Sequence, residues 1–295
     1  MKNEQLTGNS CPVERGRALH FGARCILAAT FAIASVATAA EWSDTSIGWR
    51  YGTKFHEPFI NQDISKNIID VQHVSGYKYG TNFFNVDFLM SDSKDPSTVG
   101  GSGAQEAYVV YRNTLDAGKI TGGDYKFGIV RGVGLQFGFD WNTKNDVGYA
   151  SKKRMLVLGP AVNFDVPGFL QVALLALKES NAPVGHPSRY TYDTHGMLAG
   201  AWGIPIGDSP FSFEGYADFI ASKGKDEFGG DTKAETNIDA EIMLDVGRVT
   251  GGSKNVFKVG FEYQYWKNKF GNDHNGPAGS GAFAKTPMIR AEYHF

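Results

Sequence analysis

Hydrophobic and polar residues alternate with a period of two over the last segment of the chain, residues 283–295. Successive side chains of a β-strand point to opposite faces, so this alternation predicts a strand with one apolar and one polar face. Such a strand suits a barrel whose outer face contacts lipid and whose inner face contacts water. A strand of a soluble β-sandwich shows the same alternation, so other segments have to distinguish the two folds. The apolar row is Phe283, Pro287, Ile289, Ala291, Tyr293 and Phe295, and the polar row is Thr286, Met288, Arg290, Glu292 and His294.

Twelve segments of the chain have strand-like patterns. They are 42–54, 67–79, 81–91, 105–116, 125–140, 152–164, 168–178, 190–204, 210–221, 235–248, 256–269 and 283–295. Tight links at 79–81, 165–168, 205–208 and 250–253 alternate with longer polar links at 55–66, 92–104, 141–151, 179–189, 222–234 and 270–282. An even number of strands with short turns at one end and long loops at the other is typical of outer-membrane barrels. We therefore predict an all-β fold, a closed antiparallel transmembrane β-barrel of about 12 strands over residues 41–295, with both termini in the periplasm.

One consistent register emerges for several of these segments, with apolar residues outside and polar residues inside. The predicted outer rows include Phe84, Val86, Phe88, Phe211, Phe213, Phe219, Ile238, Ile242, Phe257, Phe261 and Tyr263. The predicted inner rows include Asn85, Asp87, Glu214, Tyr216, Asp218, Asn237, Asp239, Glu241, Glu262, Gln264 and Trp266. The inner row is expected to line a water-filled lumen.

The segment 125–140 departs from this pattern because its inner row is rich in glycine, at Gly128, Gly132, Gly134 and Gly138. Glycine in a strand indicates a bend or a close approach of a neighbouring strand. The same glycines would also leave one wall of the lumen bare for a passage, and both interpretations stay open here. Arg131 falls on the outer row, so we expect it at the periplasmic rim or displaced by a β-bulge.

The first 40 residues predict a cleaved secretory signal peptide, since a short apolar run from Cys25 to Val36 follows Arg24 and precedes small residues. The run is shorter than the roughly 20 residues that a membrane-spanning helix needs. Both cysteines lie in this segment, so the mature chain has no disulfide and no thiolate metal site. Four of the 29 Lys and Arg residues and two of the 31 Asp and Glu residues also lie there. The resulting mature charge of about −4 does not indicate a nucleic-acid partner.

The last residue of the sequence is aromatic and lies on the predicted outward row. An aromatic residue at this place resembles the C-terminal signal that the assembly machinery of outer-membrane barrels recognises. We therefore expect Tyr293 and Phe295 to act as the assembly signal, and we expect lipid and that machinery as partners. The predicted location is the outer membrane of a Gram-negative cell.

Several stretches of the mature chain resemble the nucleoside-specific channel-forming outer-membrane proteins of the Tsx type. They are EWSDTSIGWRYGTKF, HVSGYKYGTNFFNVDFLMSD, VLGPAVNFDVPG and GFEYQYWKNKFG. The resemblance implies a monomeric barrel of twelve strands with a narrow polar lumen that binds and passes nucleosides. The stretch FFNVDF would correspond to the third strand of that family, which makes Phe83, Asn85 and Asp87 candidate lining residues.

The remaining candidates for solute contact come from the inner rows. Tyr108, Tyr216 and Trp266 either fill space or offer a stacking surface, and Glu214, Asp218, Glu262 and Gln264 offer hydrogen-bond partners. A nucleoside is uncharged and has a base, hydroxyls and amide-like edges, which these side chains match. The inner rows contain relatively few Arg and Lys residues, which argues against a pore for acidic solutes. We predict passive, solute-selective diffusion without a cofactor.

Two other functions compete with this prediction. The first is a general small-solute porin or a structural barrel without nucleoside selectivity, although the narrow bore of twelve strands favours selectivity. The second is an outer-membrane hydrolase, since His195 and Asp193 are two residues apart on one predicted strand and could form a general base. The same two residues could instead form an ion pair in the lumen. The sequence has no Gly-x-Ser-x-Gly motif and no metal-ligand spacing, so we expect no catalysis and no metal.

Overall fold

A computed structural model of the chain describes residues 40–100 and 102–295, so the predicted signal peptide lies outside the described residues except for Ala40. These residues form one antiparallel sheet of 13 strands. The strands are β1 (Ala40–Glu57), β2 (Ile60–Tyr77), β3 (Gly80–Ser91), β4 (Gln105–Asp116), β5 (Val130–Lys144), β6 (Arg154–Phe164), β7 (Phe169–Asn181), β8 (Tyr190–Thr191), β9 (His195–Pro205), β10 (Phe211–Ile220), β11 (Glu235–Asp245), β12 (Phe257–Lys267) and β13 (Phe283–His294). Two short helices, α1 (Ala117–Thr121) and α2 (Val246–Thr250), follow β4 and β11.

The sheet closes on itself because β1 pairs with both β2 and β13, and β6 pairs with both β5 and β7. Twelve strands form the ring, and the two-residue strand β8 pairs only with the end of β7. A closed ring pairs the backbone groups of every strand within the sheet, which hydrocarbon requires. The predicted closed antiparallel barrel of twelve strands is confirmed. Ala40 and Phe295 lie at the same end, which we call the periplasmic end.

The outer and inner faces of the barrel differ as the alternation predicts. On β12, Phe261 is 75% exposed on the outer face, whereas its neighbour Glu262 is 2% exposed on the inner face. The outer face of β6 and β7 likewise exposes Leu156 and Leu174. Apolar side chains around the outside of a closed barrel contact lipid, so the chain lies in the outer membrane. No helix among the described residues is long and apolar enough to cross a membrane.

Two predicted links are wrong, because the strands and the helix beside them end at other residues than the sequence pattern predicts. Residues 55–66 are not a long loop, because β1 and β2 stay paired up to Glu57 and Ile60 and only two residues turn between them. The link at 250–253 is not a tight turn, because β11 already ends at Asp245 and residues 246–256, which include α2, connect it to β12. The Asp245 side chain caps α2 by accepting a hydrogen bond from the Arg248 backbone N–H.

The glycine row of β5 is confirmed from Gly132 onward, although β5 begins at Val130 and ends at Lys144, beyond the predicted 125–140. A Cβ atom at Gly134 would overlap the backbone carbonyl of Leu115 on β4, and one at Gly138 would overlap that of Tyr111. The close approach of β4 and β5 therefore requires glycine at these positions. Arg131 is exposed at a register shift between Val130 and Gly132, at the periplasmic end.

Candidate functional site in the barrel lumen

All ten residues predicted to contact a solute lie on the inward face of the barrel. They are Phe83, Asn85 and Asp87 on β3, Tyr108 on β4, Glu214, Tyr216 and Asp218 on β10, and Glu262, Gln264 and Trp266 on β12. Nine of them are half-buried, and Glu262 is buried. In the ring of twelve, five strands separate β3 from β10 in either direction, so these two strands stand opposite each other. We call the half-buried inner surface of β3, β4, β10 and β12 the accessible lumen.

On the β3 side, Asp87 is the charged residue that points into the accessible lumen. Its Oδ1 atom lies 2.5 Å from an Nη atom of Arg50, which reaches over from β1. The Asn85 side-chain amide also donates a hydrogen bond of 2.9 Å to Asp87. The same face of β3 includes Phe83, toward the periplasmic end. This side therefore combines one ring, one amide and one carboxylate within five residues of a single strand.

On the β10 side, the carboxylates of Glu214 and Asp218 and the phenol of Tyr216 point into the lumen. Glu214 accepts hydrogen bonds from the Ser212 hydroxyl at 2.5 Å and from the Lys258 ammonium at 2.8 Å. The hydroxyl of Tyr216 accepts a hydrogen bond of 3.2 Å from the Asn237 amide. Because the Tyr216 hydroxyl still has its own proton to donate, it can bind an acceptor atom of a solute.

The other two inner aromatic residues are already engaged with neighbouring groups. The Tyr108 hydroxyl donates to Asp140 at 3.0 Å. The Trp266 indole N–H donates to Glu235 at 2.5 Å, and the Lys269 ammonium lies 4.5 Å from its ring centroid. A cation over the ring already occupies one face of the Trp266 indole. Tyr216 is therefore a better candidate for stacking than Trp266.

The structure adds a central ion-pair cluster that the sequence analysis did not find. Arg50 contacts Asp70 at 3.4 Å, Asp87 at 2.5 Å and Glu262 at 3.2 Å. Arg290 contacts Glu241 at 3.1 Å, Glu262 at 3.0 Å and also Glu292. The two arginines are direct cross-strand partners on β1 and β13. Sequence patterning placed both arginines on inner rows and a closed barrel makes the first and last strands neighbours, but the alternation does not give the register that places Arg50 opposite Arg290.

The opposite part of the inner wall is apolar. It consists of inward residues of β6, β7 and β9, which are buried: Met155, Val157, Ala161, Ala173, Leu175, Leu177 and Met197. We call this set the apolar wall. The signal in the sequence was that 155–158 and 172–177 are apolar at nearly every position, not at every second one. The outer apolar face of these strands contacts lipid, and the inner apolar face is buried, so this part of the lumen is packed.

Three external links are joined above the barrel by a single carboxylate. Glu227, between β10 and β11, accepts hydrogen bonds from the hydroxyls of Tyr149 and Tyr192. Tyr149 lies between β5 and β6, and Tyr192 lies between β8 and β9. Burial and the neighbouring Glu227 carboxylate raise the pKa of both tyrosines well above the ordinary range. We call Tyr149, Tyr192 and Glu227 the loop clasp.

A second bridge crosses the external end of the lumen. Glu57 at the end of β1 lies 2.5 Å from the ammonium of Lys66 on β2 and 3.2 Å from that of Lys269. Lys144 at the end of β5 also reaches Glu57, at 3.6 Å. Because three strands separate β1 from β5 in the ring, this contact narrows the external opening over β2, β3 and β4.

The predicted pair of His195 and the Asp193 carboxylate is wrong. Asp193 precedes β9 and does not share a strand with His195. The His195 Nδ1 atom lies 2.9 Å from the backbone carbonyl of Asp193, and its Nε2 atom lies 3.9 Å from Glu179. The His195 imidazole is therefore held by the backbone carbonyl of Asp193 and not by the Asp193 carboxylate, so the candidate general base is not formed.

At the periplasmic end, the two predicted assembly residues point outward. Tyr293 is exposed on β13, and Phe295 follows the strand, with its N–H bonded to the Thr45 carbonyl at 2.9 Å. Their place on the outer rim agrees with the sequence analysis, and their role in assembly stays a prediction. A cavity of about 340 Å³ also lies at this end, lined by Trp42, Thr114, Lys119, Arg131 and Asn163, among others.

Comparison with known proteins gives structural neighbours only. No protein-family model matches the chain, and no curated protein matches it. The structure is similar to KdgM porin at 9% sequence identity, covering 85% of this chain and 99% of that chain, with a TM-score of 0.42. It is also similar to the translocator domain of the autotransporter NalP from Neisseria meningitidis, at 15% identity, 92% and 96% coverage and a TM-score of 0.39. The outer membrane protein opdK from Pseudomonas aeruginosa aligns at 9% identity, 87% and 99% coverage and a TM-score of 0.29.

These similarities concern the fold alone, and the resemblance to nucleoside channels stays a prediction. The closed ring, the apolar exterior and the polar lumen are features of the chain itself. They make it a porin-like outer-membrane β-barrel.

Proposed function

We propose that the barrel is a passive channel for small polar solutes and that it selects nucleosides. The observation that carries the proposal is the accessible lumen, where polar and aromatic side chains of β3 and β10 face each other across a space that water reaches. A wall of this kind can replace part of the hydration shell of an uncharged solute during passage.

The side chains of the accessible lumen match the groups of a nucleoside. The Tyr216 ring offers a stacking surface for a base, and Asn85 and Gln264 each offer an amide donor and an acceptor. One stacked base contributes roughly 1–3 kcal/mol, and one neutral hydrogen bond contributes about 1 kcal/mol. Binding by one ring and a few such groups is weak, and weak binding lets a solute leave the channel as easily as it enters.

The width of the lumen favours a selective channel over a general pore. Barrels of about 8 strands are filled by their own side chains, whereas those of 16–18 strands enclose an aqueous channel. A ring of twelve strands lies between these limits. Here the apolar wall and the central ion-pair cluster fill part of the interior. This narrows the space that is left for a solute between β3 and β10.

Uptake of tritiated nucleosides by proteoliposomes that contain the purified barrel tests this function. We expect uptake to saturate and to be inhibited by other nucleosides more strongly than by free bases or sugars. Tyr216→Ala should weaken this inhibition, because it removes the stacking surface. Tyr263→Ala is the matched control, since Tyr263 points outward from the neighbouring part of the barrel and is exposed on its outer face.

Each result separates the candidate functions. Equal uptake of nucleosides and sugars by the unaltered protein would favour the general small-solute porin. Uptake no greater than that of empty liposomes would favour a structural barrel. Identical inhibition of uptake in the Tyr216→Ala and Tyr263→Ala variants would contradict the assignment of the accessible lumen as the contact site.

The proposal includes the barrel-assembly machinery as a partner. Deleting Phe295 should lower the amount of protein in the outer membrane while synthesis and export continue, because the deletion removes the terminal outward aromatic residue. Fractionation followed by unboiled gel electrophoresis measures this, with deletion of the exposed loop residue Val99 as a control. Normal outer-membrane levels without Phe295 would contradict the assignment.

A further inference from the structure

The central ion-pair cluster contains more acidic than basic groups. Two guanidinium groups, those of Arg50 and Arg290, lie within ion-pair distance of five carboxylates. These carboxylates belong to Asp70, Asp87, Glu241, Glu262 and Glu292. Each arginine brings a single positive charge, so the cluster is not neutral when its carboxylates are ionised.

Of the five carboxylates, Asp70 has the fewest stabilising contacts. Its side chain is fully buried, and neither of its oxygens accepts a hydrogen bond from a described residue. The closest cationic atoms are Nε of Arg50 at 3.4 Å and Nη2 of Arg290 at 3.9 Å. The carboxylate lies against the backbone of Gly48, where a Cβ atom would overlap it. A buried carboxyl group with so few partners either takes up a proton or needs a further positive charge nearby to stay ionised.

The accessible lumen next to the cluster does not supply that charge. Its nearest basic groups are already paired, since Lys258 contacts Glu214 at 2.8 Å and Arg112 contacts Asp140 at 2.5 Å. The apolar wall has no charged side chain and does not screen the field, which is therefore stronger than in bulk water.

We propose that the central ion-pair cluster makes the lumen a cation-selective filter. Monovalent inorganic cations and small organic amines enter it, neutral solutes such as nucleosides pass without an electrostatic penalty, and anions, including phosphorylated solutes, are excluded. Among the residues that the structure describes, no group of three His, Cys, Asp or Glu side chains could hold a metal ion. The expected ligand is therefore a mobile monovalent cation. This inference rests on the proposed function as a channel.

Reversal potentials across planar bilayers in a KCl gradient test the filter. We expect the unaltered barrel to prefer K⁺ over Cl⁻, and tetramethylammonium to replace K⁺ with the preference retained. Asp70→Asn and Glu292→Gln each replace a carboxylate of the cluster with an amide of nearly the same shape, which removes its negative charge. A unit charge acting across roughly 10 Å at an effective dielectric constant near 20 changes the partitioning of one monovalent ion by about tenfold, and it acts on K⁺ and Cl⁻ in opposite directions. We therefore expect the ratio of K⁺ to Cl⁻ permeability to fall by a factor of about ten or more in each variant.

Asp231→Asn is the matched control, because it also removes one carboxylate charge, but from an exposed external loop where the side chain is 78% accessible. It should leave the reversal potential unchanged. Heat-modifiable mobility on unboiled gels shows that each variant is folded before it is measured. A variant that fails to fold is replaced by Asp87→Asn, which removes a more accessible charge of the same cluster.

The outcomes distinguish the filter from the channel itself. A conducting barrel with no preference for cations, or with a preference that the lumen substitutions leave unchanged, overturns the filter and leaves the channel intact. Conductance no greater than that of the bare bilayer overturns both. Cation preference in a barrel whose current nucleosides do not reduce supports the filter and contradicts only the nucleoside assignment.

Discussion

The two sides of the inner wall are stabilised by opposite kinds of interaction. The apolar wall of β6, β7 and β9 packs by excluding water, and its members need no specific partner. The central ion-pair cluster on β1, β2, β3 and β11–β13 depends on named pairs, because a buried charge that loses its partner is costly. One barrel interior therefore contains a packed core on one side and a polar, partly hydrated surface on the other. We expect function on the charged side, where stability depends on specific ion pairs.

The largest loss of stability should follow from breaking the charged side. Arg290→Ala leaves Glu241, Glu262 and Glu292 without a shared cation, and breaking a buried pair in this way costs about 3–5 kcal/mol. The free energy of unfolding in urea, measured by tryptophan fluorescence, tests this. Arg131→Ala is the control, since Arg131 is exposed at the periplasmic end and should change stability little. A loss of equal size in both variants would contradict the importance of the cluster.

A somewhat smaller loss should follow from breaking the apolar side. Leu175→Ala leaves a cavity in a wall where Leu175 is 1% exposed, at a cost of about 2–4 kcal/mol. The neighbouring Leu174 points outward and is 60% exposed, so lipid can fill the space that Leu174→Ala leaves. The same unfolding measurement compares the two variants. If the outward substitution cost as much as the inward one, the apolar wall would not be a packed core.

Ion transport should distinguish the two sides more sharply than stability does. Leu175→Ala removes no charge, so it should leave the cation preference of the lumen unchanged even where it lowers stability. Asp70→Asn should lower the cation preference and leave stability nearly unchanged. Reversal potentials of the two folded variants under identical conditions make this comparison. A shift of similar size in both would mean that lumen shape, and not charge, sets the selectivity.

The smallest effect concerns the loop clasp, which lies outside both walls. Tyr192→Phe removes one hydrogen bond to Glu227 and should lower the free energy of unfolding by about 1 kcal/mol. The pKa of Tyr192 is raised in the folded protein, so this contribution is complete below the ordinary tyrosine pKa of about 10 and is lost as the pH rises through the folded value. The difference between the unaltered protein and Tyr192→Phe should therefore narrow in strongly alkaline solution. Tyr190→Phe is the control, because its hydroxyl bonds only a backbone carbonyl in an exposed link.

A constant difference between the two proteins across the alkaline range would show that Tyr192 contributes through packing alone. Faster proteolysis of the external links in Glu227→Ala than in Asp226→Ala would support the clasp independently, because both residues lie in the same link.

Most of the fold was predictable because lipid and water impose a simple rule on every strand. Phe261 and Glu262 had to point to opposite faces, and this rule fixed the inward position of all ten candidate residues. The rule does not apply outside the membrane. Polar residues such as Ser65 and Lys66 occur both in loops and in paired strands there, so the sequence pattern does not distinguish the two. This is why β1 and β2 continue beyond the predicted ends of their strands.

Alternation with a period of two is a local property of the chain, so the sequence alone predicts the barrel, the strand number and, where the alternation is clear, the direction of the side chains. Which inward residues contact each other follows only from the closed three-dimensional fold. Arg50 and Glu262 are far apart in the sequence and contact each other because closure of the ring brings β1 beside β13 and near β12. The bridge from Lys144 to Glu57 likewise depends on the curvature of the closed sheet. Charge pairing, and therefore the selectivity proposed for the lumen, is a property of the closed ring that no single strand contains.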